Sequence, residues 1–151
     1  MNIRFLTTSE KKKLLAQLKE RFGITELEGT LFETGREKIR LFTGSLSPRD
    51  ILALSPFINI ELIGLYLCRQ EHETRVRLSF DATHLFASQL STNIVELNDM
   101  QLHSWLRGEH LDIPHAPGIV LICHTTDFLG CGISTGERIL NHVPKERRLR
   151  K

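Results

Sequence analysis

Apolar and polar positions along the chain resolve into a series of short elements. Leu14, Leu15, Leu18 and Phe22 recur at helical spacing, with Lys11, Lys12, Lys13, Lys19 and Arg21 mostly outside the apolar face. Thr7-Thr8-Ser9-Glu10 supplies the start: hydroxyls for the free N–H groups and an acid near the positive end of the dipole. The pattern predicts a helix over 10–22, ended by Gly23. Residues 27–32 and 38–42 alternate weakly around Thr34-Gly35-Arg36 and predict a hairpin. Ser47-Pro48 opens a second short helix, with proline in the first turn where its missing N–H costs nothing. The run 58–67 is the most apolar of this half and predicts its central strand, with Gly64 as a weak point.

The polar stretch 69–74 predicts a hinge. After it Val76, Leu78 and Phe80 alternate with Arg75, Arg77 and Ser79 as in a strand with one polar face. Asp81 stands where it would cap a helix reaching Leu90, and 93–97 predicts a further strand. Asn98 or Asp99 starts the helix that carries Trp105, and Gly108 is a left-handed stop just past its end. Gly118-Ile-Val-Leu-Ile-Cys123 is short, β-branched and bounded by Pro117-Gly118, so it reads as a buried strand. The next strand, 128–134, is interrupted by Gly130 and Gly132, the mark of a bulge, a barrel corner or a close approach of another backbone. These elements predict an α+β chain: an N-terminal α+β unit over 1–70, then a small mixed β-barrel over 74–151.

Composition narrows the function. The chain has 151 residues, 40% of them hydrophobic, enough for a core in one domain or two small ones. Its formal net charge is only +2, but residues 137–151 carry six basic side chains against two acidic ones. A surplus concentrated at one end points to a localised anionic partner. Three cysteines without a CxxC pair predict neither a disulfide framework nor a zinc knuckle, and place the chain in a reducing compartment. The apolar run at Met1-Asn-Ile-Arg-Phe-Leu6 is too short for a signal peptide, and no segment approaches the ~20 apolar residues of a membrane helix. The expectation is a soluble, cytoplasmic protein.

Catalytic patterns are weak. There is no GxGxxG and no P-loop, and the glycine-rich segment 130–136 is not followed by an amphipathic helix. Cys123 beside His124 would point to opposite faces of a strand, and a Cys131–His142 pair would need a thiol that buried cysteine rarely offers. The seven histidines lack helical metal-ligand spacing. No enzyme activity, cofactor or metal is expected. Trp105 shares an apolar helical face with Leu102 and Leu106, which assigns it to the core.

Trp105-Leu106-Arg107-Gly108, Gly118-Ile-Val-Leu121 and Leu129-Gly130-Cys131-Gly132 together resemble PUA domains, the small RNA-binding barrels of pseudouridine synthases and archaeosine transglycosylases. The ending from Arg138 to Lys145, followed by Arg147 and Arg148, is similar to the C-terminal PUA-like module of Sun-type RNA cytosine methyltransferases. The preceding elements resemble small ribosome-biogenesis factors built of a pre-PUA and a PUA domain. The chain departs from the methyltransferase relatives at Cys131, where they prefer an aromatic, and at Val143, where they prefer tyrosine. Both changes remove possible base-stacking surface, worth ~1–3 kcal/mol per base.

The resemblance implies a non-catalytic protein that recognises folded rRNA or tRNA, in ribosome biogenesis or RNA modification. The alternative is an adaptor docking an RNA-modifying enzyme or a ribosome assembly factor. Arg107 and Gly108 correspond to the turn that brings backbone to RNA, and Asn141, His142 and Lys145 to the terminal strand and basic exit. Arg138, Lys145, Arg147, Arg148 and Arg150 are the expected phosphate contacts, with Arg75 and Arg77 extending the patch.

Overall fold

The computed structural model describes residues 3–72 and 75–150. Helix α1 (Thr8–Phe22) begins with a capping box in which Thr7 and Glu10 satisfy each other's backbone N–H groups. The Thr7 backbone N–H and the Arg4 guanidinium hold the Glu10 carboxyl down to about 2. Strands β1 (Ile3–Phe5), β2 (Thr30–Thr34), β3 (Lys38–Phe42), β4 (Leu65–Glu71) and β5 (Arg75–Leu78) form an antiparallel sheet in that spatial order. Between β3 and β4 lies α2 (Pro48–Leu54), capped by Ser47 with proline in its first turn. After β5 come α3 (Phe80–Leu85), β6 (Ile94–Glu96) and α4 (Asp99–Leu106). Strands β7 (Gly118–His124), β8 (Asp127–Ser134) and β9 (Ile139–Leu140) follow, and a 3-10 turn at Lys145–Arg147 lies near the end.

The second sheet has the order β6-β7-β8-β9, with β6 parallel to β7 and the remaining pairs antiparallel. A bridge from Leu111 to Ile139 extends it past β9. This curled sheet wraps the fully buried Trp105, whose indole N–H donates to the Leu129 carbonyl at 2.8 Å. Val95, Val120, Ile122, Leu129, Ile139 and Val143 belong to the same cluster. At Gly132 an added Cβ would clash with the Ile139 side chain and lie 3.1 Å from the Trp105 ring and 3.3 Å from the Leu140 carbonyl oxygen, so of the three alternatives this glycine marks a close approach. The fold is thus α+β, with an antiparallel sheet and helix followed by a curled four-stranded half-barrel.

A second hydrophobic cluster runs between the two sheets. Leu14, Leu18 and Phe22 of α1 join Ile39, Cys68, Val76 and Leu78 of the first sheet and Leu121, Cys123, Phe128 and Cys131 of the second. The two halves therefore share an interior, which fixes β5 and α3 against β8.

Several of the expectations are corrected. The stretch 69–74 is no hinge: Arg69, Gln70 and Glu71 are the end of β4, paired with Arg77, Val76 and Arg75. Strand β5, placed by its sequence at the start of the second unit, is hydrogen-bonded in the first sheet, while the second sheet opens at Ile94. Glu73 and Thr74 of the expected hinge lie outside the described residues.

The apolar run 58–67 is a strand only from Leu65. Upstream, the carbonyls of Ile63 and Gly64 accept hydrogen bonds from the Arg40 guanidinium, each at 2.6 Å, so a side chain takes the acceptors that a ladder would use. Ser79, not Asp81, caps α3, and that helix stops at Leu85.

Candidate nucleic-acid interface

The site grows from the outer face of the first sheet. Lys38 pairs across the strands with Arg69, and Arg69 with Arg77. Like charges directly opposite each other destabilise a sheet unless something compensates them. Arg69 is compensated by Glu37 at 3.1 Å and Glu71 at 3.4 Å, and Arg75 lies 4.0 Å from Glu71. Arg77 has no carboxylate partner among the described residues. Arg40, held by the two carbonyls already described, has none there either; burial lowers its guanidinium below the usual range.

A register shift between Ile39 and Arg40 sets Tyr66 opposite Arg40, and both line the same cleft as Arg77. Lys38 Nζ lies 5.9 Å from the centre of the Tyr66 ring. Burial raises the phenol, against the opposing effect of Arg77.

From here the surface folds into a cleft of about 550 Å³ between the first sheet and the end of the chain. Arg40, Tyr66 and Arg77 form one wall. Phe80, Asp81 and Gly130 contribute from α3 and β8, while His142, Pro144, Glu146 and Arg147 come from the terminal segment. Arg147 Nη2 donates to Asp81 Oδ1 at 2.7 Å. His142 is exposed at the rim, yet its ring is sufficiently desolvated that burial, with help from Arg77, lowers the imidazole to about 4. It is neutral at physiological pH.

The basic tail is held against the body. Arg148 Nε donates to the Val143 carbonyl at 2.9 Å, and the Leu149 N–H donates to the Leu106 carbonyl at 2.9 Å. The Arg148 side chain lies over Gly108, where φ is +87° and an added Cβ would meet Arg148 Nε at 2.5 Å. Gly108 therefore works as a seat for the tail as well as a helix stop.

The residues singled out from sequence do not all converge. Arg77, His142 and Arg147 meet at the cleft, with Arg75 exposed on the same strand. Arg138 is turned elsewhere, paired with Asp112 at 2.7 Å. Arg107, Lys145 and Arg150 are exposed, while Arg148 is partly buried as an anchor. Asn141 has an internal job. It is 8% exposed, and its amide donates to the carbonyls of Trp105 at 2.8 Å and Glu109 at 3.0 Å. Its oxygen accepts from the Val143 N–H at 2.8 Å.

Cys131 and Val143 are likewise buried, so the departures from the methyltransferase pattern there alter packing rather than an exposed stacking face. Sequence reading missed Arg40, Tyr66 and Phe80. The available signal was the alternation of Lys38 and Arg40 with Ile39 and Leu41, which gives β3 the same basic outer face as β5.

Reactive groups are muted. Cys131 is buried in apolar surroundings that push its thiol up to about 12, and burial raises Cys68 and Cys123 as well. Among the described residues no three or more His, Cys, Asp or Glu side chains converge as a metal-ligand set. No helix among them is long and apolar enough to cross a membrane.

Residues 92–149 match the family model of the methyltransferase RsmF PUA domain. The matched segment contains β6, α4, the rest of the half-barrel and the tail up to Leu149. Curated proteins give no match to the chain.

Proposed function

With a PUA module resembling that of the Sun-type methyltransferases as its C-terminal part, we propose that the chain is a non-catalytic RNA-binding protein of the cytoplasm. Its partner in this reading is folded rRNA or tRNA, and its work is ribosome biogenesis or RNA modification. The observation that carries the reading is the cleft in which Arg77, Arg40 and Arg147 converge. Arg77 and Arg40 lack carboxylate partners among the described residues, so the fold leaves positive charge for an external anion. RNA phosphates are such anions, and forked guanidinium groups suit them. Burial raises the Cys131 thiol and lowers the His142 imidazole in the same cleft, which supports binding over nucleophilic chemistry.

The test is the salt dependence of binding to a folded RNA. With about five phosphates neutralised, log K should fall against log salt with a slope of about −3.5 to −4.5. A flat dependence would remove the phosphate contacts on which the reading stands.

One observation favours a second reading, an adaptor for an RNA-modifying enzyme or assembly factor. Leu52, Phe57, Ile58 and Leu62 stand 50%, 85%, 53% and 73% exposed on α2 and the segment after it. Clustered apolar exposure of this kind marks protein-interaction surfaces. A salt-insensitive protein complex lost on Phe57→Ser would support this reading.

A further inference from the structure

We propose that the cleft between the first sheet and the terminal segment takes a single unstacked nucleotide of the bound RNA, its base against Tyr66 and His142 and its phosphate on Arg77. This rests on the RNA-binding reading and adds to it what part of the RNA enters the protein.

Size is the first reason. A concavity of about 550 Å³ lies within the ~300–1,000 Å³ range of small-ligand sites. Double-stranded RNA is instead met across its wide, shallow minor groove and along its phosphates, which calls for an extended surface rather than a recess.

Chemistry is the second. A site for phosphate alone needs cations and N–H donors. This one also presents the rings of Tyr66, Phe80 and His142, two of them from elements remote in sequence from the third. Aromatic faces next to guanidinium groups are what unstacked bases use, stacking on the rings while the backbone is neutralised. Phe80 has a ring neighbour already, His84 at 5.2 Å between centroids, so Tyr66 and His142 are the walls assigned to the base.

Charge is the third. Arg77 lines the cleft together with Tyr66 and His142, perturbs both, and has no carboxylate partner among the described residues. Arg147 stands on the opposite side, tied to Asp81. The phosphate of an inserted nucleotide would meet Arg77 as the uncompensated cation, without first breaking an ion pair. Glu146 at the rim opposes entry of a second phosphate.

The experiment uses the full chain and a set of RNA hairpins that differ only at one position: fully paired, with a single bulged A, C, G or U, or with an abasic bulge. At least one nucleotide bulge is expected to bind about tenfold or more tighter than the abasic one. That ratio should collapse to near one in Tyr66→Ala and survive in Tyr66→Phe, which keeps the ring. Each ratio is taken within one protein, so a partly unfolded variant does not distort it. Equal binding of nucleotide and abasic bulges by the unaltered chain overturns the nucleotide site and leaves the RNA-binding reading in place. A ratio that persists in Tyr66→Ala and in His142→Ala also overturns it. Failure to bind any of the hairpins overturns both.

Discussion

Arg147 Nη2 donates to Asp81 Oδ1 at 2.7 Å, joining the end of the chain to the first turn of α3 across 66 residues. Both partners line the cleft that holds Arg77 and Tyr66. The pair thus fixes one wall of the proposed RNA site and also occupies one of its cations. Their side chains are 51% and 43% exposed, so the pair is in competition with solvent and with any phosphate that approaches.

Asp81→Asn keeps the shape and removes the charge. RNA affinity is expected to rise by up to about fivefold, the scale of an exposed ion pair. A filter-binding titration reads it. A marked fall in affinity would mean that Asp81 is needed to orient Arg147 rather than holding it back.

Gly108→Ala should loosen the tail. A side chain at φ +87° costs about 1–2 kcal/mol, and the new Cβ would displace Arg148. Melting should fall by roughly 2–8 °C for a chain of this size. In hydrogen exchange the Leu149 N–H, bonded to Leu106, should lose protection ahead of the β7 amides. Unchanged protection there would show that the tail is held by something else.

Asn141 and the RNA surface should separate experimentally. Asn141→Ala leaves the Val143 N–H and the carbonyls of Trp105 and Glu109 short of a partner, at about 1–3 kcal/mol for each buried group left unpaired. Denaturant unfolding should report a large loss of stability, while the affinity of the folded fraction for RNA stays within about twofold. An affinity loss without a stability loss would return Asn141 to the interface.

His142 gives the fold a pH dependence of defined sign. Burial, aided by Arg77, sets its folded value at about 4, and in the unfolded chain it titrates near about 6.5. Between those values the unfolded state holds the additional proton, so stability increases with pH across the window and is lost on acidification from about 6.5 to about 4. His142→Gln should flatten that part of the stability profile. Bound RNA, bringing phosphate close, should raise the imidazole value, visible in the His142 ring proton shifts.

Local chemistry was legible from sequence wherever it was decided locally. Thr7 and Glu10 sit three residues apart and cap α1 as their spacing requires. Trp105 is core because Leu102 and Leu106 share its helical face, and Gly108 ends α4 because only glycine adopts that φ cheaply. The run 58–64 misled because apolar content says nothing about partners: Arg40, far upstream, took its carbonyls.

The cleft was half visible. Arg77, His142 and Arg147 stood out by charge and by their place in the chain. Arg40 and Tyr66 join them only through the register of β3 against β4 and the docking of β8 on β5, long-range pairings that no single-segment pattern encodes. Asn141 misled in the opposite direction, since a polar side chain beside a basic exit can equally be spent on buried carbonyls.

The claim on which the account turns is that the cleft around Arg77 and Arg147, not the rest of the basic tail, grips the RNA. The most direct measurement compares binding of one folded RNA by the unaltered chain, by Arg77→Gln with Arg147→Gln, and by Arg138→Gln with Arg150→Gln, each checked for an unchanged melting temperature. The account expects the cleft pair to lose well over tenfold in affinity and about 1.5 units of salt slope, and the pair outside the cleft lining to lose much less. Equal losses in the two double variants, or none in the cleft pair, would contradict it.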